Sequence, residues 1–411
     1  MSYTRDEVRF LIAHQGDISD AEQGLQMNKN TLIADMGVLR GRFGDHARTV
    51  GELLHARRAA SGKLRDDARA RWLFCYESAQ QATPSVVADV RAAKIRDIVG
   101  EGAFVADVTC SVGTEGLAVS RVGLRYAGSD VDLVRLDMAR HNLAGTSSSL
   151  IYAADALVPA IQLNDVGCVI ADPARRDGGR RISDPAHLIP PLPDLIAAWP
   201  DVPLAVKCAP GIDYSQWPGM VSVVSVDGKV KETCLYSQHF GRGREAVVLR
   251  GGANGGVDKQ SVDVLNSDMD DRPGGDLAGA PGRFIIDPDG AIVRAGLVRQ
   301  MAVREGLWML DERIAYLTGD RIPAGHTGAE FVAQLPLKKM KDVKRLLREL
   351  DCGSLEILVR GVDVNPDKLR KQLKLGGKRP LTLVCTRIGA AGVALVCGPR
   401  VGSGADNPSS S

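Results

Sequence analysis

No apolar run in the 411-residue sequence approaches the ~20 residues that a membrane-spanning helix needs, so an integral membrane protein is not expected. The opening residues, M-S-Y-T-R-D-E, lack the basic-then-apolar profile of a signal peptide. Eight cysteines (Cys75, Cys110, Cys168, Cys208, Cys234, Cys352, Cys385 and Cys397) include no C-x-x-C pair, so neither a zinc site nor a disulfide framework is expected. Most fall in apolar runs and read as small buried hydrophobes in a reducing, cytoplasmic setting. None of the seven histidines, His141 and His239 included, stands in a spacing such as H-E-x-x-H, so no metal is expected. Excess charge is missing too. The 52 Lys and Arg face 50 Asp and Glu, a formal net charge of +2, which at first sight speaks against a nucleic-acid partner. What is present is an ordinary globular composition, 44% apolar and 25% charged, which excludes a mainly disordered chain. The length exceeds what one core usually spans and points to two or three domains.

Residues 1–100 carry apolar side chains at three- and four-residue spacing, as in Glu7 to Ile12 and Thr31 to Met36, and predict a helical N-terminal domain. Thr83-Pro84-Ser85 opens a further helix through Val86 to Ile95, Pro being well placed near a helix start. From Ala103 short apolar runs alternate with helical stretches. Strands are expected at Ala103–Val108, Arg125–Asp130, Leu150–Ala153, Val166–Ala171 and Pro203–Lys207, with Val221–Val226 and Ala246–Leu249 as an antiparallel terminal pair. That alternation predicts βαβ units and a parallel, doubly wound sheet over 101–252. Residues 253–330 read as a linker and accessory segment: a Gly-, Asp- and Pro-rich loop (251–282), then an amphipathic stretch from Leu297 to Ile314. Residues 331–400 read as a small β-α-β-α-β-β domain, and 401–411 as a disordered tail.

The chemistry concentrates in D-V-T-C-S-V-G-T-E-G, residues 107–116. An acidic residue ends the first strand and a tight loop with one central glycine, Gly113, opens a helix. A dinucleotide site needs three glycines so that the backbone can approach a pyrophosphate, which disfavours a nicotinamide dehydrogenase. S-adenosylmethionine carries no phosphate. It offers an ammonium suited to Asp107 and a carboxylate suited to loop amides at a helix start. Asp130 ends the second strand, 23 residues after Asp107, where an acidic residue accepts ribose hydroxyls in doubly wound folds. Asp155 follows the third strand, beside Ala156 and Leu157, and Asp172 the fourth, in D-P-A-R-R. Any one such Asp is more often a turn or cap residue. Four in order, at the edge where open α/β sheets bind ligands, form a site.

These motifs resemble those of the class I S-adenosylmethionine-dependent methyltransferases over roughly Ala103 to Gly252. The first loop is similar to the D-x-x-C-G-x-G-T loop of RNA methyltransferases that carry a THUMP domain, with Ser111 in place of that family's first glycine. L-E-I-L-V-R-G-V-D-V-N-P-D-K-L-R-K-Q-L, near the C-terminus, resembles a THUMP-like domain attached to bacterial enzymes of this type. The implied fold is a Rossmann-like α/β methyltransferase sheet with a helical N-terminal domain and a small α+β THUMP-like C-terminal domain. The implied cofactor is S-adenosylmethionine, with Asp107, Thr109, Gly113, Glu115, Asp130 and Asp155 as its candidate binding residues. Asp172, Pro173 and Arg175 would face the target. Resembling families use Asp/Asn-Pro-Pro-aromatic there to hold a base amine. Arg175 replaces the aromatic, as in the D-P-P-R version of uridine C5 methyltransferases, which also need a cysteine nucleophile after the next strand. Cys208 stands there, with Lys207 beside it to lower its pKa, but it also reads as the buried end of an apolar strand.

Residues 331–400 hold 15 Lys and Arg against 6 Asp and Glu, a local +9 that leaves a net −6 on residues 1–330. Lys338, Lys339, Lys341, Lys344, Arg345, Lys371 and Lys374 are therefore candidate RNA contacts. The expected activity is methylation of a base in tRNA or rRNA. A methyltransferase of small molecules or proteins, and a non-catalytic RNA-binding protein with a degenerate pocket, remain open.

Overall fold

The computed structural model describes residues 3–64, 70–146, 149–174, 176–177, 180–251, 261–271 and 277–403. The chain divides into two compact units, 1–243 with 248–263 and 244–247 with 264–411.

Among the described residues of the first unit, six helices precede the sheet, the first five being α1 (Arg5–Ala13), α2 (Gln15–Gly24), α3 (Leu32–Phe43), α4 (Ala47–Ala59) and α5 (Tyr76–Gln81). Thr4 starts α1 with a capping box: its hydroxyl accepts the Glu7 amide at 3.2 Å and the Glu7 carboxylate accepts the Thr4 amide at 2.7 Å. The sixth helix, α6 (Ser85–Val99), follows Pro84 as its N-cap, as the Thr-Pro-Ser signal predicts. Val8, Leu11, Leu53, Leu54 and Phe74 from the helical part share one continuous core with Val105, Tyr126 and Ile170 from the sheet.

The sheet strands are β1 (Phe104–Asp107), β2 (Arg125–Asp130), β3 (Ser149–Ala153), β4 (Cys168–Ala171), β5 (Leu204–Cys208), β6 (Met220–Val226) and β7 (Lys229–Tyr236). They lie in the order β6-β7-β5-β4-β1-β2-β3. The five strands from β5 to β3 are parallel, and β7 runs antiparallel to β5. Helices α7 (Thr114–Arg121), α8 (Leu133–Asn142) and α9 (Leu192–Ala198) make the crossovers. One strand departs from the expectation. β7 inserts between β5 and β6 and pairs antiparallel with both. Its sequence K-V-K-E-T-C-L-Y breaks the apolar run with three charges, which conceals it from a hydrophobicity reading.

The chain passes between the units within β8 (Gly243–Arg250) and β9 (Ser261–Asn266). β9 occupies part of the segment expected to be loop; residues 252–260 and 272–276 of that segment, and 404–411 of the expected tail, lie outside the described residues. The second unit holds β10 (Phe284–Ile286), α10 (Gly290–Ala295), α11 (Val298–Glu305), β11 (Trp308–Asp311), β12 (Ile314–Gly319) and β13 (Thr327–Pro336), followed by α12 (Met340–Glu349), β14 (Cys352–Val359), α13 (Pro366–Leu373), β15 (Arg379–Ile388) and β16 (Ala391–Gly402). Seven strands form one sheet, β11-β12-β10-β13-β16-β15-β14. The segment 284–319, expected as an accessory piece, thus supplies three strands to the C-terminal sheet. The stretch expected to be amphipathic from Leu297 to Ile314 is helical only to Glu305, because Gly306 ends α11 in the left-handed conformation and β11 follows.

Two glycines in helices separate the cost of space from that of chain freedom. Gly37 in α3 has nothing within 4 Å of where a Cβ would sit. Gly37→Ala is expected to raise stability by about 0.5–1 kcal/mol, the helix cost of glycine. At Gly116 in α7 a Cβ would lie 2.8 Å from Leu143 and 3.0 Å from Tyr126. There overpacking wins, and Gly116→Ala is expected to cost about 1–3 kcal/mol. Urea unfolding of both variants checks the opposite signs.

Candidate functional site

The four expected carboxylates stand at the carboxyl ends of neighbouring strands, in the spatial order Asp155 (after β3), Asp130 (β2), Asp107 (β1) and Asp172 (after β4). At about 4.8 Å between strands, the row spans roughly 14 Å. Backbone stitches hold the loops in place. Asp130 accepts the Ser111 amide at 3.0 Å and the Asp132 amide at 2.9 Å. The Cys110 amide donates to the Ser129 carbonyl at 2.9 Å, and the Asp172 amide donates to the Thr109 hydroxyl at 2.6 Å. Thr109 therefore joins the β1 loop to the β4 loop. Ser111, where the resembling loop has glycine, adopts φ +50°, and Gly113 adopts +85°. The left-handed conformation costs a non-glycine residue about 1–2 kcal/mol, which the charged bond from Ser111 to Asp130 offsets. Cys110 packs its Cβ and sulfur beneath this loop against Gly128, and burial pushes its thiol well above the ordinary range.

Asp107 is 3% exposed. It accepts the Tyr126 hydroxyl at 2.9 Å and the Thr109 amide at 3.3 Å. Burial, and then the nearby Glu115 charge, raise its pKa to about 7. Asp155 is exposed and caps its own turn by accepting the Leu157 amide at 2.9 Å.

Glu115 does not face the open edge as the sequence reading expected. It is 3% exposed, and its two oxygens each lie 3.2 Å from the Arg91 guanidinium. The Lys207 ammonium lies 3.0 Å from Glu115 and 2.9 Å from Asp172. Arg91 also pairs with Glu232 of β7. Burial pushes the Glu115 carboxyl up, but Arg91 and Lys207 outweigh it and hold it below the ordinary range. For Lys207 burial opposes the charge, and Asp172 and Glu115 more than restore it, leaving the ammonium above its usual pKa. Two cations and three carboxylates thus form one buried cluster ending at Asp172.

The expected role of Lys207 beside Cys208 is corrected by strand geometry. Successive side chains of β5 point to opposite faces. Lys207 turns to Glu115 and Asp172, while Cys208 is fully buried with its sulfur 3.8 Å from the Val206 carbonyl. A nucleophile must reach its substrate, and this thiol is packed in the core. Pro173 is buried behind Asp172, and Arg175 lies outside the described residues.

Two S-adenosylmethionine-dependent methyltransferases of Mycobacterium tuberculosis, both uncharacterised (strains CDC 1551 / Oshkosh and ATCC 25618 / H37Rv), are each 42% identical to the chain over 378 residues, 88% of this chain and 99% of theirs. The chain belongs to the S-adenosylmethionine-dependent methyltransferases. A protein of Porphyromonas gingivalis W83 assigned to the methyltransferases shares the fold at a TM-score of 0.72 and 17% identity, covering 93% of this chain and 98% of its own. Residues 327–399 match the family model for the THUMP domain-like family. The methyltransferase thus ends in a THUMP-like domain and takes S-adenosylmethionine as cofactor.

The edge fits that cofactor by its donor set. It presents carboxylates to an ammonium and a diol, and residues 107–116 contain no Lys or Arg to suit a phosphate. Val131, next to Asp130, is 72% exposed, an apolar side chain held at the edge that the sequence reading did not single out. Arg91, Glu232 and Tyr126 were also missed. The available signal was a charge inside an apolar run, as in V-V-A-D-V-R-A-A and V-K-E-T-C-L. In the THUMP-like domain of the methyltransferase, Val343 and Leu347 of α12 and Leu369 and Leu373 of α13 enter one core with Leu355, Leu381, Leu383 and Ala394. Both helices therefore cover the same sheet face, and the Lys344 ammonium donates to the Gln372 carbonyl at 3.2 Å. Lys338, Lys339, Lys341, Arg345, Lys371 and Lys374 are exposed. Arg345 is partly occupied by Asp342 at 3.2 Å and Glu349 at 3.8 Å.

Among the described residues no group of three or more His, Cys, Asp or Glu side chains could hold a metal ion, and no helix is long and apolar enough to cross a membrane. The buried cluster makes a direct prediction. Arg91→Met leaves Glu115 and Glu232 in the interior without their shared cation. It is expected to cost about 3–5 kcal/mol in chemical denaturation, as breaking a buried ion pair does.

Proposed function

We propose that this methyltransferase modifies a base in RNA, tRNA or rRNA, in a reducing, cytoplasmic setting. The observation that carries the reading is the pair of neighbouring basic helices, α12 and α13, on one face of the THUMP-like domain. Of the basic residues behind the local +9, Lys341, Lys344, Arg345, Arg348, Lys368, Arg370 and Lys371 belong to these two helices, a cationic set that suits a phosphate backbone. Eight buried cysteine thiols suit the reducing setting.

In this reading Asp107 meets the ammonium of S-adenosylmethionine, the Ser111–Gly113 turn follows its carboxylate, and Asp130 accepts from its ribose hydroxyls. Asp155 and Val131 flank the adenine. Thr109 holds the two loops in register, and Glu115 acts through Lys207 instead of touching the cofactor. The bound cofactor supplies an electrophilic methyl group on a sulfonium. Asp172, with Pro173 behind it, faces the base, as does Arg175, three positions later in the sequence. Lys207 fixes the direction of the Asp172 carboxylate, which orients the methyl-accepting atom or accepts its proton. Positioning is the larger part of the task in an in-line transfer.

The decisive test is incubation with labelled cofactor and total RNA, followed by mass spectrometry of the nucleosides. Label is expected in one modified nucleoside, and label in none rejects the reading. A second expectation concerns pH. Asp107 must be ionised, with its pKa of about 7, and the cofactor's α-amine must be protonated, with a pKa of about 7.8. Raising pH through the first value strengthens binding, and raising it through the second weakens it. Calorimetric affinity for the cofactor should therefore peak near pH 7.4, and Asp107→Asn should remove the acid limb of the curve.

A further inference from the structure

Three lysines converge on a small cavity at the same sheet edge, in the catalytic unit rather than in the THUMP-like domain. The cavity measures about 190 Å3 and is lined by Lys63, Pro84, Asp227, Lys229 and Lys231, among others. Its place follows from the strand register. Thr233 of β7 pairs with Cys208, the last residue of β5, so Lys229 to Glu232 project past the carboxyl end of β5. The helical wall extends in the same direction. Arg91 of α6 reaches Glu115 in the first turn of α7, and Ser85 begins α6 six residues earlier, about 9 Å further out along the axis. Glu232, next to Lys231, ties the base of this hairpin to Arg91 and so to the cluster that holds Asp172.

Lys229 is exposed and Lys231 half-buried. The Lys63 ammonium is anchored by the carbonyls of Ala79, at 3.0 Å, and Gln80. Burial, and then the nearby Lys231 charge, lower its pKa. The lining also holds one carboxylate, Asp227, which accepts the Gly251 amide at 3.0 Å and is outnumbered by the three lysines. At about 30 Å3 per water molecule, the cavity has room for a phosphate group and part of its hydration.

We infer that Lys63, Lys229 and Lys231 form a phosphate subsite that grips the substrate backbone beside the methyl-accepting position. The inference rests on the RNA reading and adds to it. The THUMP-like domain supplies one surface for the backbone, and the catalytic unit supplies a second at the edge where the base must enter.

The test uses the full chain and a fluorescein-labelled single-stranded RNA of mixed sequence, with affinity measured across a salt titration. Three variants accompany the wild type: Lys229→Gln with Lys231→Gln, the exposed Lys229→Glu alone, and Lys338→Gln with Lys339→Gln and Lys341→Gln. On a single strand, every phosphate that is no longer neutralised by a lysine lowers the slope of log K against log salt by about 0.7. The double hairpin variant, which removes the grip on one phosphate, is expected to reduce that slope by about 0.7, and Lys229→Glu to weaken binding at low salt. Thermal melting and calorimetric cofactor affinity should stay at wild-type values in both. If the hairpin variants keep the wild-type slope while the α12 variant loses affinity, the RNA reading stands and the subsite is rejected. If the wild type shows no salt-dependent RNA binding, both fall together. Competition by polyglutamate as strong as that by unlabelled RNA assigns the lysines to an acidic protein and also overturns the subsite.

Discussion

The arrangement of the catalytic edge depends on one buried set of charges. Arg91, Glu115, Lys207, Glu232 and Asp172 come from α6, α7, β5, β7 and the loop after β4. Moving ions from water to a protein interior costs several kcal/mol each, and their attraction recovers it only when each charge meets a well-placed partner. The requirement therefore works as a geometric constraint. Arg91 must present its fork to two carboxylates at once, and Lys207 must sit within 3.0 Å of Glu115 and 2.9 Å of Asp172. Four elements and a loop have little freedom to slide past one another once these distances are met. The loop that carries Asp172 inherits that rigidity through Lys207.

Much of the site was legible because strand ends carry local signals. An Asp at the end of an apolar run is visible in a few residues, and four of them in order already implied a carboxylate row. The expected parallel strands of the first unit are present for the same reason. What escaped was non-local. Glu115 looks like a helix-start carboxylate open to a ligand until Arg91, 24 positions earlier, and Glu232, 141 positions after Arg91, are brought together. Nothing near Cys208 in the sequence says that Lys207 turns away from it; strand alternation decides that only once the partners of Lys207 are known. The strand β7 was hidden by its own charges, Lys229, Lys231 and Glu232.

The neutrality of the whole chain conceals a division of labour. The first 330 residues are net acidic, and residues 331–400 are strongly basic. Helices α12 and α13 use Val343, Leu347, Leu369 and Leu373 to hold the sheet, which leaves their long cationic side chains outside. The opposite sheet face is closed by a second core containing Ile285, Leu310, Tyr316 and Leu395. Strands β10 to β12 supply part of that core. These strands are short and separated from residue 331 by polar turns, which is why the apolar pattern of the domain becomes legible only from there.

The shared core of the helical layer and the sheet bears on how such a protein can be inherited. Leu53, Leu54 and Phe74 pack in the same cluster as Val105 and Tyr126, and α6 brings the guanidinium on which Glu115 of α7 and Glu232 of β7 rely. A recombination event cutting just before β1 would deliver a sheet with an uncovered face and stranded acids, and a helical fragment with an orphaned arginine. The helical segment and the sheet are therefore expected to be exchangeable only together, as a single piece.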